Sequence, residues 1–359
     1  MKSDNPFSLT FGMPPYTMIG RFEEKDRVIS TFTADNAVSH VYLIEGIRGS
    51  GKTVLMTSIS EELCKRKDWV GVDLNPSIDL LQNLCDSLRD AAFSPRDLVD
   101  QGFNVSVAGF GVGIGSTQRP KSVNGEIEDM LQKLQKQGRK LIITIDEVSS
   151  GQNVRVFASQ FQIFLRKRYP VFLLMTGLYE NIYSIQNDDA LTFLLRSPKI
   201  RVGSLSLMQI AMQYETIFST DSETASRMAG ETKGYAFAFQ AFGMLVWEKG
   251  ISAFRENAAE LYQEYDSLLD DFAYRKIWSG LTQKEQKFIL ALQETGNTRV
   301  SEISAATGAS GSSVSQYKER LISKGVLVNA GFGLVETALP RFRRICGYYH
   351  LISSSDENQ

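Results

Sequence analysis

Residues Gly46-Ile47-Arg48-Gly49-Ser50-Gly51-Lys52-Thr53 match the pattern G-x-x-x-x-G-K-S/T, and they constrain this chain more tightly than any other stretch. An apolar run, Val41-Tyr42-Leu43-Ile44, leads in, and a helical pattern from Val54 to Lys65 leads out. The three pieces spell strand, loop and helix. Glycines let a backbone wrap closely around phosphate oxygens with its N–H groups turned inward, and the following helix start adds partial positive charge. In such a loop, running here from Gly46 to Val54, Lys52 reaches the β- and γ-phosphates and the Thr53 hydroxyl ligates Mg²⁺. The pattern implies a nucleoside triphosphate ligand; the plainer reading is a glycine-rich turn that binds nothing.

Further apolar runs set the architecture. Trp69 to Leu74 reads as a second strand, with Ser77 as N-cap of a helix running to Arg89. Leu141-Ile142-Ile143-Thr144-Ile145 and Val171-Phe172-Leu173-Leu174-Met175-Thr176-Gly177 are continuous apolar runs, as strands buried on both faces require. Lys199 to Leu205 makes a fifth strand. A helical pattern at Glu24 to Ala37 precedes the first strand, and others at Val123 to Gln137 and Val154 to Arg168 lie between later strands. Such alternation predicts a parallel sheet covered on both faces. Residues 102–115 break the pattern, alternating apolar and small residues; they read as an inserted glycine-rich hairpin, either a surface ornament or an interaction surface.

Asp146 and Glu147 close the most apolar strand, where parallel sheets bind ligands. Asp146 suits the outer shell of Mg²⁺ beside Thr53, and Glu147 suits polarising a water for in-line attack on a γ-phosphate. The alternative is a helix-capping acidic pair. Thr176, ending the next strand, either bonds the attacking water or γ-phosphate or is a satisfied strand-end hydroxyl. Phosphoryl transfer also gains from a cation at the γ-phosphate. Arg48, Arg196 and Arg201 are candidates, and Arg196, beside Ser197-Pro198, suits a finger offered to a neighbouring subunit of an ATP-dependent homo-oligomer. A plain surface arginine is the competing reading.

Taken together these pieces resemble an AAA+ or STAND-type ATPase over residues 5–270. Met18-Ile19-Gly20-Arg21-Phe22-Glu23-Glu24 is similar to the h-h-G-R-x-x-E motif that opens the nucleotide domain there. The resemblance implies ATP as ligand, Arg21 on the adenine side, and Pro15 or Tyr16 packed on the base. It implies an α/β P-loop NTPase core with a helical lid over the all-helical stretch from Leu207. Thr232-Lys233-Gly234-Tyr235-Ala236 stands where STAND proteins carry G-x-P, with Gly234 kept and Ala236 in place of proline. Arg227 is the nearest candidate for a lid arginine.

The last segment has its own order. Thr282 and Glu285 form a capping-box pattern, Val300 to Ala306 a short helix ended by Gly308, and Ser310 to Lys324 a longer helix. Two short strands flank Asn329-Ala330-Gly331. The order resembles a winged helix-turn-helix, which implies that Ser313, Gln316, Lys318 and Arg320 face duplex DNA, with Lys324 and the Arg341, Arg343 and Arg344 cluster adding positive charge. Winged helices also bind proteins, and Glu319 on the reading face fits a regulatory protein partner.

The expected domains are therefore an ATPase core (1–205), a helical lid (206–275), a small winged-helix domain (276–350) and a disordered tail (351–359). Net charge is −2, so no overall basic field draws nucleic acid or anionic membrane, and any such contact is local. Cys64, Cys85 and Cys346 lie far apart in helical patterns, as buried thiols of a reducing compartment do. No apolar run approaches membrane-spanning length and the first residues lack a signal-peptide core, so a cytoplasmic protein is expected.

Overall fold

The computed structural model describes residues 4–10, 15–92, 122–188, 191–256 and 258–356. The glycine-rich stretch 102–115 lies outside the described residues. The chain divides into two compact units, one of residues 21–45 and 52–201, the other of residues 1–20, 46–51 and 202–359.

The first unit is a parallel sheet of β1 (Val41–Glu45), β2 (Trp69–Leu74), β3 (Lys140–Ile145), β4 (Val171–Gly177) and β5 (Lys199–Arg201), in the order β2-β3-β4-β1-β5. Every residue of β1 and β4 is buried, which is why their sequences carry no polar alternation. On one face Val41, Leu43, Val72, Leu141, Ile143, Leu173 and Met175 pack against α3 (Leu80–Ala92), α4 (Val123–Lys136) and α5 (Gln152–Arg166). Those helices present apolar residues at helical spacing, such as Phe157, Phe161 and Phe164 of α5. The opposite face is covered by α1 (Phe22–Thr33) and α2 (Lys52–Cys64), with Phe32 against Tyr42 and Phe172. Burying each such Leu or Phe contributes about 1.5–3 kcal/mol. Two short helices, α6 (Tyr179–Gln186) and α7 (Thr192–Leu195), complete the unit.

Some boundaries differ from the sequence reading. The cap of α3 is Asp79, whose carboxylate accepts from the N–H groups of Leu81 and Gln82 at 2.9 and 3.1 Å, while Ser77 sits in a turn closed by Asn75. A carboxylate one residue before the helix reaches the open N–H groups that a serine three residues back cannot. Strand β5 stops at Arg201, short of the expected Leu205, and Val202 onward belongs to the other unit. Cys85 and Cys346 are buried free thiols, but Cys64 is exposed.

The second unit is mainly helical: α8 (Leu207–Phe218), α9 (Ser222–Gly230), α10 (Ala236–Lys249), α11 (Ile251–Glu256) and α12 (Ala258–Leu269). A single π-helical turn, Asp270–Tyr274, joins α12 to α13 (Arg275–Ser279). Then come α14 (Gln283–Leu290), β6 (Thr298–Arg299), α15 (Val300–Thr307), α16 (Gly311–Ser323), β7 (Leu327–Gly331), β8 (Leu334–Thr337) and α17 (Phe342–Asp356). The three strands form an antiparallel sheet ordered β6-β8-β7. Thr282 and Glu285 make a full capping box, and Gly308 ends α15 in the left-handed conformation. One hydrophobic core runs through the whole unit, from Phe7 through Tyr214, Phe242 and Tyr274 to Leu321 and Cys346. Phe7 fills the space above Gly243, where any Cβ would meet its ring. The last helix, reaching Asp356, extends into the segment expected as a tail.

Candidate nucleotide site

The loop that follows β1 takes a conformation only glycine adopts readily. Gly49 has φ +74° and Gly51 φ +91°, both in the left-handed region. A tight turn is closed by the Ser50 N–H donating to the Ile47 carbonyl at 3.2 Å. A Cβ on Gly46 would stand 2.7 Å from Ser50 Oγ and 3.0 Å from the Val202 carbonyl. A Cβ on Gly49 would fall on the Tyr235 hydroxyl. That hydroxyl donates to the Arg48 carbonyl at 2.6 Å, and the Phe237 N–H donates to the Gly49 carbonyl at 3.1 Å. Ile47 packs beside Gly325, at the turn after α16. The loop is thus held on its carbonyl side by the start of α10.

Gly51 leads directly into α2, whose first residue, Lys52, is buried. Within the sheet unit, Thr53 Oγ1 donates to Asp146 Oδ2 at 2.8 Å. Thr176, fully buried at the end of β4, donates to Asp146 Oδ1. The Glu147 N–H donates to Asp146 Oδ1 and to Thr176 Oγ1, each at 3.1 Å. Glu147 is exposed and left-handed, with φ +52°. For a non-glycine residue this conformation costs of order 1–3 kcal/mol and is held here by those two hydrogen bonds. A hydroxyl and a carboxylate side by side are hard oxygen donors of the kind Mg²⁺ takes while keeping several waters. Among the described residues no group of three or more His, Cys, Asp or Glu could hold a metal.

The other expected residues are placed as follows. Arg196 is exposed at the C-cap of α7. Arg201 pairs through Nε with the buried carboxylate of Glu45 at 3.0 Å and lies over the Tyr179 ring. Arg21 is half-buried at the N-cap of α1; burial lowers its pKa against the opposing effect of Glu24. Tyr16 is 88% exposed. Gly234, at φ +75°, accepts from the Leu205 N–H at 2.7 Å, and any Cβ there would meet the Leu205 carbonyl at 2.5 Å. Val54 is half-buried on α2. Arg227 lies over the Phe254 ring. Sequence reading missed Tyr235 as a partner of the loop; its one signal was its place directly after Gly234.

On α16, Gln316 and Arg320 are exposed and Ser313 is half-buried, bonded to the capping Ser310. Lys318 lies 3.4 Å from Glu319. Several cations expected to add positive charge there have partners within the chain. Lys324 bonds the buried carboxylate of Glu285 at 3.1 Å, Arg341 forms a bidentate pair with Asp266, and Arg343 Nε donates to the Leu292 carbonyl. Arg344 lies 3.8 Å from the same Asp266.

A family model described as a domain of unknown function, DUF8462, matches residues 271–345. No curated protein matches the chain. Among solved structures the chain is similar to a Walker-type ATPase of Pyrococcus abyssi, at 13% identity and a TM-score of 0.61, covering 92% of this chain and 96% of that one. It is similar also to the ORC2 protein of Aeropyrum pernix in ADPNP–ADP complexes, at 12% identity and a TM-score of 0.57, covering 98% of each chain. At such identities the likeness is one of fold, and it spans nearly the whole length. The chain has the fold of an AAA+-type P-loop ATPase.

Proposed function

We propose that this protein binds and hydrolyses ATP, and that the nucleotide state governs what its C-terminal segment contacts. The observation that supports this best is the hydrogen-bonded set Thr53–Asp146–Thr176 with Glu147 turned outward beside it. Lys52 and the loop N–H groups would hold the phosphates. Thr53 and Asp146 would hold Mg²⁺, which when bound neutralises charge developing on the phosphates. Glu147 would take up and orient the attacking water, with Thr176 fixing the backbone that carries it. Arg196, exposed on the sheet unit, would act on a neighbouring copy in an ATP-dependent homo-oligomer. ATP titration of the wild type and Lys52→Ala tests the shared premise; equal affinity in the two overturns it.

For the C-terminal segment, we propose a winged helix, a reading supported by the order α14, β6, α15, α16, β7 and β8, with duplex DNA as its contact through Ser313, Gln316, Lys318 and Arg320. A regulatory protein partner is the second reading. It is favoured by Glu319 on the same face and by the internal pairing of Lys324 and Arg341. Salt-dependent retention on duplex DNA, lost in Lys318→Ala with Arg320→Ala, supports the first; retention unaffected by those changes contradicts it.

A further inference from the structure

The contact between Tyr235 and the phosphate loop lies outside the roles assigned above. A trans peptide is a rigid plane in which C=O and N–H point in opposite directions. Fixing the Arg48 carbonyl therefore fixes the N–H of Gly49. The Tyr235 hydroxyl draws that carbonyl toward itself at 2.6 Å, so the Gly49 N–H is turned the other way. The next peptide is held likewise, since the Phe237 N–H takes the Gly49 carbonyl at 3.1 Å. Two consecutive loop carbonyls are pinned on one side, in a loop whose left-handed glycines could otherwise sample many states.

The tyrosine is itself held. Its ring is 4% exposed and stacks on Tyr274, with centroids 6.2 Å apart and planes at 26°. Tyr274 belongs to the π-helical turn, donates its hydroxyl to the Pro340 carbonyl at 2.7 Å and meets Phe342 edge-on at 4.9 Å. Burial pushes the Tyr235 hydroxyl well above its ordinary range, so it stays protonated and able to donate at any working pH. Gly49 has no room for a side chain because this hydroxyl occupies the place of its Cβ.

We propose that Tyr235 is a positioning residue for phosphate binding: its hydroxyl orients the Arg48–Gly49 peptide so that the Gly49 N–H meets a nucleotide phosphate. The proposal rests on the ATP-binding reading. The hydroxyl touches no phosphate and acts only through the peptide it grips. Its removal should therefore weaken phosphate binding with the rest of the fold intact.

The test is ATP affinity, measured with Mg²⁺ by titration, of full-length wild type and Tyr235→Phe, beside the unfolding midpoint of each protein without nucleotide. Tyr235→Phe keeps the ring and should bind ATP about tenfold more weakly, as expected from loss of one hydrogen bond that orders a second. Gly49→Ala, whose methyl would evict the hydroxyl from the other side, should lose at least as much. Unchanged ATP affinity in Tyr235→Phe, with or without a lower unfolding midpoint, leaves the hydroxyl a structural bond only and overturns the proposal. A wild-type chain that binds no ATP overturns the nucleotide reading and this proposal with it; wild-type binding matched by Tyr235→Phe overturns this proposal alone.

Discussion

The Thr53 hydroxyl donates to Asp146 Oδ2 at 2.8 Å, joining two residues 93 positions apart in the chain. The first turn of α2 and the carboxyl end of β3 thus bring a hydroxyl and a carboxylate to one point in the sheet unit. Both oxygens suit magnesium.

Replacing Asp146 by Asn keeps the shape but removes the charge, and it weakens the acceptor for both Thr53 and Thr176. The Mg²⁺ concentration that half-saturates ATP turnover is expected to rise about 10–100-fold, as when a metal's supporting partners are lost. A magnesium titration of turnover checks this, and an unchanged half-point would remove Asp146 from the metal's surroundings.

Gly49→Ala places a side chain at φ +74° and against Tyr235. The left-handed backbone alone costs of order 1–3 kcal/mol in a non-glycine residue. Urea unfolding of the nucleotide-free protein should show a loss of at least that order. Gly138→Ala is the control, since it is also left-handed but open around its Cβ, and it should lose less.

Glu285 and Lys324 form an ion pair at 3.1 Å in which the carboxylate side chain is 1% exposed. Burial opposes ionisation of Glu285, but the Thr282 N–H and the Lys324 ammonium outweigh it, and the pKa is lowered. A lowered carboxylate contributes stability that is present above the unfolded value, about 4.3, and is lost as pH falls through the folded value. The wild type should therefore lose stability below that pH more steeply than Glu285→Gln. Lys324→Met, which leaves the buried carboxylate with the Thr282 hydrogen bonds but no cation, should cost on the order of 3 kcal/mol at neutral pH. Denaturant unfolding across pH measures both; equal acid sensitivity in wild type and Glu285→Gln would contradict the assignment.

Much of the sheet unit could be read from residues alone. Continuous apolar runs at Leu141–Ile145 and Val171–Gly177 have few other uses in a globular chain, and the structure has them as adjacent buried strands. The loop of residues 46–53 is visible because the pattern G-x-x-x-x-G-K-S/T sets particular residues in fixed positions along a short stretch. What stayed hidden depends on distance in sequence. The bond from Tyr235 to Arg48 spans 187 positions and leaves no local pattern. Lys324 and Arg341 look like solvated cations in the sequence, and only packing shows them answering Glu285 and Asp266. Asp79 displaced Ser77 as a cap because the start of α3 was set by tertiary packing of Leu80 and Leu84 rather than by capping preference.

Glu147 is proposed to activate water at a bound triphosphate, and ATP turnover of wild type against Glu147→Gln is the decisive comparison. Glutamine keeps the size of the side chain and the backbone bonds to Asp146 and Thr176 but cannot accept the proton. Glu147→Gln is expected to bind ATP as tightly as the wild type and to hydrolyse it at least about 100-fold more slowly, the usual contribution of a general base. Turnover at the wild-type rate in Glu147→Gln would contradict it.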